Sequence, residues 1–94
     1  MTLETVPFDA ARYLESSQSQ AELLTDAFAS GNSSYVAAAL GVIARARGMT
    51  QVAKDAGITR EALYKALSAE GDPKLSTLLG VMRALDIELQ VLNQ

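Results

Sequence analysis

The sequence predicts an all-α bundle of about five to six short helices closed by a short C-terminal β-strand. Apolar residues recur at three- and four-residue intervals along most of the chain, the spacing of one helix face. Alanine, the strongest helix former, is abundant, and aromatics make up only 5% of residues, so the core is aliphatic. The last residues switch to an alternation of aliphatic and polar side chains. A length of 94 residues leaves room for one domain with a modest core. A hydrophobic content of 49% is that of a folded chain rather than a disordered one.

Met1 to Phe8 alternates loosely around Leu3, Val6 and Phe8 and reads as an arm or a short edge strand, since Pro7 cannot occupy a central one. Asp9 is placed to cap a helix through about Ser16, with Ala10, Tyr13 and Leu14 as its apolar side. Ser19 and Glu22 have the spacing of a capping box; the helix they open carries Leu23, Leu24, Ala27 and Phe28 and stops at Gly31. Asn32 or Ser33 caps the next helix, whose apolar positions are Val36, Ala39, Leu40 and Ile43 and whose end is Gly48. Thr50 is the expected cap of a helix through about Ala56. Beyond the breaker Gly57, Thr59 caps another through about Ala69.

Gly71, Asp72 and Pro73 mark a loop. The last helix starts either at Asp72, with Pro73 in its first turn, or at Ser76, and shows Leu75, Leu78, Leu79, Met82 and Leu85 on one stripe. In Ile87 to Leu92, Glu88 and Gln90 alternate against Leu89 and Val91, the pattern of a strand. Residues 1–32 therefore form an N-terminal arm and helices, and residues 33–94 a second region ending in the strand, within one unit overall.

The composition excludes several classes of function. With no Cys there is no disulfide framework, thiolate zinc site or cysteine nucleophile. With no His there is no Ser-His-Asp arrangement and no imidazole ligand. No nucleophile motif, metal-ligand cluster or Gly-rich phosphate loop is present, so neither an enzyme nor a cofactor is expected. No run of 18 apolar residues and no signal-peptide pattern occurs, so a cytoplasmic protein is the simplest expectation.

The stretch from Thr50 to Leu67 has the pattern of a helix-turn-helix. Ala53 is small where the second helix crosses the first, and Gly57 suits a tight turn with positive φ. Val52, Ile58, Leu63 and Leu67 are apolar where the two helices share a core, and Thr59 caps the second helix. On that helix Leu63, Ala66 and Leu67 fall on one face, and Arg60, Glu61, Tyr64, Lys65 and Ser68 on the other. The outer set holds long donors, an acceptor and a phenol, the groups that read base edges and phosphates. The plain alternative is a solvated face with Glu61 and Lys65 paired one turn apart, a contact worth only ~0.2–0.5 kcal/mol.

Charge is sorted along the chain. The formal net charge is -3, which on its face argues against nucleic acid. Residues 1–32 carry Glu4, Asp9, Glu15, Glu22 and Asp26 against Arg12, a net of -4. Residues 33–71 carry Arg45, Arg47, Lys54, Arg60 and Lys65 against Asp55, Glu61 and Glu70, a net of +2. Affinity for phosphates follows local charge, so the basic part is the helix-turn-helix part.

The segments 41–49, 52–58, 60–68 (Arg-Glu-Ala-Leu-Tyr-Lys-Ala-Leu-Ser), 75–79 and 83–85 resemble the addiction-module antidote proteins, small bacterial antitoxins of the HigA-like, lambda-repressor-like helix-turn-helix class. The resemblance runs from about Pro7 to Leu92 and is densest in the last two-thirds. It implies a lambda-repressor-like bundle that binds operator DNA as a repressor and neutralises a RelE/ParE-type toxin encoded beside it. It further implies that Gln51, at the start of the first motif helix, bonds a phosphate and steadies a base-reading side chain. Arg60 and Glu61 are placed to reach base edges, and Tyr64 and Lys65 a base or the backbone. Thr59, Lys54, Lys74 and the amides near Ser76 complete the candidate DNA set, with an ordinary exposed lysine the alternative for Lys74.

A dimer is expected, because such proteins read two half-sites about 34–36 Å apart. Its candidate interface is the last helix and the Ile87–Leu92 strand, through Ile87, Leu89 and Val91, since an unpaired apolar edge needs a partner. For the toxin, the acidic first third is complementary to a basic surface: Asp9 and Glu15, with Glu22 and Asp26, supply charge, and Phe8, Tyr13 and Leu14 supply apolar anchors, unless the last three are plain core. A free-standing helix-turn-helix regulator without a toxin, and a protein-interaction bundle without DNA affinity, are the competing expectations.

Overall fold

The structure, a computed structural model, describes residues 17–93, and these form five helices: α1 (Ser17–Ser30), α2 (Ser33–Arg47), α3 (Met49–Ala56), α4 (Arg60–Ala66) and α5 (Leu75–Ala84). The arm over Met1–Phe8 and the helix expected over Asp9–Ser16 lie outside the described residues. Among the described residues there is no strand, and no helix is long and apolar enough to cross a membrane.

α1 is under way at Ser17, so Ser19 lies inside the helix and not at its cap. Glu22 accepts a hydrogen bond from Gln18 Nε2 at 3.4 Å. Leu24 and Ala27 are buried, with Leu23 and Phe28 packed beside them. Ser30 Oγ donates to the Ala27 carbonyl at 2.6 Å, and the chain reverses at Gly31. Asn32 Oδ1 then accepts from the Tyr35 amide at 3.1 Å, the cap that starts α2.

Two side-chain bonds fasten α1 to α2 near their opposite ends. Tyr35 donates its hydroxyl proton to Asp26 at 2.5 Å, and Arg47 Nη2 donates to Gln20 Oε1 at 2.8 Å. Gln20 is only 2% exposed, and the bond from Arg47 gives its buried amide oxygen a donor. The two helices therefore run antiparallel, with Ala37, Ala39, Leu40, Ile43 and Ala44 of α2 turned into the core.

Gly48 makes a corner. Its amide closes α2 onto the Ala44 carbonyl at 2.8 Å, and its own carbonyl accepts from Val52 at 3.1 Å, the first bond of α3. α3 thus starts at Met49, which is buried, and Thr50 is an exposed residue within it rather than its cap. Gly57 ends α3 in the left-handed region at φ 77° and ψ 26°, where a side chain would be strained. Thr59 Oγ1 accepts from the Ala62 amide at 3.0 Å and caps α4 as expected. α4 stops at Ala66, short of Ala69: Ser68 Oγ donates to the Lys65 carbonyl at 3.0 Å, a local bond that competes with continued helix.

The core collects Leu40, Ile43, Leu63, Val81 and Leu85, all fully buried. α3 packs chiefly against α5 and also meets α2 and α4. α2 passes so near the end of α4 that a Cβ on Gly41 would lie 2.7 Å from the Leu67 carbonyl oxygen. Close packing here depends on small residues, as the burial of Ala53, Ala39 and Ala44 also shows.

α5 begins at Leu75 with Lys74 at the cap position and no side-chain cap, so neither Asp72 nor Ser76 starts it. It ends in a Schellman turn: Asp86 takes φ 59°, its amide donates to the Arg83 carbonyl at 3.1 Å, and the Ile87 amide donates to the Met82 carbonyl at 2.9 Å. The strand expected over Ile87–Leu92 is not formed within the described chain. Ile87 is committed to terminating α5, and residues 87–93 carry no regular secondary structure. A strand exists only as one side of a hydrogen-bonded ladder.

Candidate nucleic-acid interface

α4 is sorted by side. Leu63 and Leu67 are buried and Ala66 is half-buried, while Arg60, Glu61, Tyr64 and Lys65 all face solvent. Ser68, grouped with them from the sequence, is half-buried and spends its hydroxyl on the Lys65 carbonyl. The sorting follows from the turn: Gly57 and the Thr59 cap set the angle at which α4 leaves α3, and Leu63 and Leu67 then rotate its apolar side inward.

Arg60 and Tyr64 lie one turn apart and touch. The guanidinium carbon is 5.4 Å from the centre of the Tyr64 ring, within cation–π range. Arg60 Nη2 stands 3.5 Å from the Tyr64 hydroxyl oxygen, a long bond. This bond to Tyr64 is the main cause, and the charge of Glu61 a lesser one, of an Arg60 pKa held above its ordinary value. Among the described residues the pairing of Glu61 with Lys65 is not formed.

Gln51 is exposed near the start of α3, and its Nε2 donates to Asp55 Oδ1 at 2.9 Å, one turn along the same helix. Lys54 is exposed in the last turn of α3. Lys74 and Ser76 are exposed at the start of α5, where no side chain caps the free amides. Lys65 of α4 and Lys74 of α5, separate in sequence, line one open hollow of about 590 Å³ together with Ser68 and Thr77. Glu70 and Asp72 stand at the same hollow and offset part of that positive charge. Thr77 is a lining residue that the sequence patterns do not mark; its one signal is its place one turn beyond Lys74.

A second surface of different chemistry covers the outer side of α5 and the tail. Leu75 and Leu79 were expected in the core stripe but are 68% and 47% exposed. The stripe is wider than the surface that α3 offers it, so its outer edge meets solvent. Leu79, Ile87 and Leu89 line a hollow of about 520 Å³ rimmed by Arg83, Asp86 and Glu88. Of the candidate dimer residues, Ile87 is half-buried against the core, while Leu89 is exposed and Val91 is 98% exposed.

The candidate toxin residues Phe8, Asp9, Tyr13, Leu14 and Glu15 lie outside the described residues. Glu22 and Asp26 are described, and both are exposed on α1 beside Ala21, Thr25 and Ala29.

Compared with known proteins, residues 4–93 match the family described as probable addiction module antidote protein. An uncharacterized protein of Haemophilus influenzae is 45% identical over 91 residues, covering 97% of this chain and 94% of the relative. No solved structure matches. A match that takes in all five helices, with α4's exposed side among them, is decisive as to kind: this chain belongs to the family of probable addiction module antidote proteins, which are regulatory and neutralising proteins rather than enzymes.

Proposed function

We propose that the chain is the antitoxin of a type II toxin–antitoxin module, a lambda-repressor-like, HigA-like helix-turn-helix protein. In this reading it binds operator DNA as a dimeric repressor and neutralises a RelE/ParE-type toxin by direct contact. Family membership supports the antitoxin role. The observation that carries the DNA-binding half is the exposed side of α4, where Arg60, Glu61, Tyr64 and Lys65 stand together above a wholly apolar inner side. α4 is the recognition helix that enters the major groove. Lys65, Lys74 and Lys54 lie alongside as backbone contacts, and Ser76 and Thr59 sit at helix starts where phosphates are bound. Gln51 reaches a phosphate once it leaves Asp55.

The dimer forms through the outer side of α5 and the tail, with Leu89 and Val91 gaining the cover they lack in one chain. The tail becomes a strand there by pairing with its symmetry mate, which supplies the ladder partner absent from a single chain. The toxin, a small basic protein, takes the acidic first third through Asp9 and Glu15 with the apolar residues Phe8, Tyr13 and Leu14. The reading places the protein in the cytoplasm, where its DNA is.

The test has two arms. A duplex spanning the protein's own promoter is titrated with the protein at rising salt, with non-specific competitor present. Binding that survives competitor and weakens steeply with salt supports the operator reading; no binding at low salt ends it. The neighbouring reading frame is then co-expressed. A short basic protein that arrests growth alone, but not alongside this chain, supports neutralisation. Arrest that persists overturns it and leaves a free-standing regulator.

A further inference from the structure

Arg60 is the first residue of α4, and its cap, Thr59, fixes the backbone on which it stands. Its guanidinium has five N–H donors in a planar fork. Tyr64 holds that fork from one side, by its ring face and by a single long bond from Nη2. No carboxylate takes the fork among the described residues; Glu61, next in sequence, stands exposed without bonding it. A long surface arginine ordinarily loses much rotamer freedom when it docks. Here part of that ordering is done before any ligand arrives, and the outer edge of the fork stays open.

The ligand suited to an open, planar pair of donors in a major groove is the Hoogsteen edge of guanine, with two acceptors, O6 and N7, side by side. Adenine offers one acceptor beside a donor, and the donor repels the fork. We propose that Arg60 and Tyr64 act as one guanine reader: Arg60 makes the base contact, and Tyr64 is a positioning residue that aims it and reads no base itself. This rests on the operator-binding reading and adds a base identity and a division of labour to it. Each half-site then contains a guanine at one fixed position, repeated with the dyad on the other half.

The experiment is selection of bound duplexes from a random-sequence library by the full chain, followed by affinities for the selected site and its single-base variants. Wild type is expected to select guanine at one symmetric position, and replacing it with adenine is expected to weaken binding roughly 5- to 100-fold. Arg60→Ala is expected to erase the preference at that position alone, with the helical circular dichroism spectrum unchanged. Arg60→Lys keeps the charge but loses the fork, and so retains non-specific binding with little base preference. Tyr64→Phe keeps the ring and is expected to keep most of the guanine preference. Tyr64→Ala is expected to lower it at the position that Arg60→Ala identifies, with the base preferences at the other positions kept.

Three results overturn the proposal. Arg60→Ala with unchanged base preference removes Arg60 as the reader and makes it a phosphate contact. Tyr64→Ala that alters a different position makes Tyr64 a base reader in its own right. Tyr64→Ala that leaves guanine preference intact removes the positioning role. Failure of the wild-type chain to select any duplex is a separate result, since it defeats operator binding itself.

Discussion

α4 and α5 are both short, both amphipathic and both pressed against α3, yet they present opposite surfaces. On α4 and its C-cap the large apolar side chains Leu63 and Leu67 are buried, Tyr64 keeps its ring under Arg60, and the exposed remainder is polar apart from Ala62. On α5 the apolar stripe divides: Val81, Met82 and Leu85 are buried, while Leu75 and Leu79 are not. The difference lies in the width of the stripe against the width of the groove that receives it. Where they match, what remains outside is chemistry that costs nothing to hydrate. Where the stripe is wider, the excess is apolar area left in water, at about 25 cal/mol for each Å², and a partner that covers it gains that much. One helix is suited to a charged partner and the other to an apolar one.

The largest expected effect separates the two helices directly. Leu63→Ala removes a fully buried side chain beneath the α4 surface, and it is expected to lower unfolding stability by about 2–5 kcal/mol in a denaturant titration. Leu75→Ala trims the same atoms from a residue that is 68% exposed, and the expected change is within about 0.5 kcal/mol. A Leu75 variant as damaged as the Leu63 variant would show that Leu75 is covered in solution.

The next effect concerns that covering. Leu79→Asp sets a charge in the middle of the exposed α5 side, beside the hollow it shares with Leu89. If this surface joins two copies, the variant is expected to sediment as a monomer at concentrations where wild type is a dimer, with its helix content unchanged. A dimer that survives Leu79→Asp would move the interface off α5. Arg83 and Asp86 on the rim provide both signs of charge, as a self-complementary two-fold contact requires.

This contrast also marks how far the sequence could be read. Spacing alone locates α2, α3 and α4, the stops at Gly31, Gly48 and Gly57 and the cap at Thr59, and narrows the α2 cap to Asn32 or Ser33, because each rests on a local backbone requirement. Most of the exposed set on α4 is legible for the same reason: with Leu63 on the helix and Leu67 at its C-cap turned inward, Arg60, Glu61, Tyr64 and Lys65 have one direction left, whereas Ser68 lies past the helix end and is half-buried. What could not be read depended on distant neighbours. The division of the α5 stripe depends on the breadth of α3. The Gln20–Arg47 bond joins residues 27 apart, and the meeting of Lys65 with Lys74 depends on how the chain returns through the loop after α4. The tail departs from its pattern: the alternation is that of a strand, whereas Ile87 serves the end of α5.

The third effect is a gain. Asp86 holds φ 59° at the end of α5, a conformation that glycine adopts without the Cβ penalty. Asp86→Gly is expected to raise stability by up to about 1 kcal/mol, the left-handed strain it relieves, about 1–2 kcal/mol, less the entropy glycine adds to the unfolded chain, about 0.4–1 kcal/mol, read as a higher denaturation midpoint with unchanged slope. Because Asp86 also stands on the rim of the α5 hollow, the same variant sharpens the comparison. Higher stability with weaker dimerisation assigns the carboxylate to the interface, and higher stability alone assigns it to the turn. Lower stability would mean that the side chain's contribution to the turn and the entropy glycine adds to the unfolded chain together exceed the backbone strain.

The smallest effect lies away from both helices, in the α1–α2 pair on which they rest. The hydrogen bond that Tyr35 gives Asp26 raises the phenol's pKa above its ordinary 10, with smaller contributions from desolvation and the Asp26 charge. A group whose pKa is higher folded than unfolded stabilises the fold fully below the unfolded value and loses that contribution as pH climbs through the folded one. Wild type is therefore expected to melt slightly above Tyr35→Phe at pH 7 to 9, with the two melting curves converging as pH rises beyond 10. If α4 binds DNA as proposed, that binding is expected to be untouched across the lower range, because the bond lies on the α1–α2 side of the molecule. The absence of any melting difference at pH 7 to 9 would mean that Tyr35 contributes through its ring and not through its hydroxyl, and a difference that persists unchanged to pH 12 would mean that the hydroxyl acts by something other than its protonated bond to Asp26.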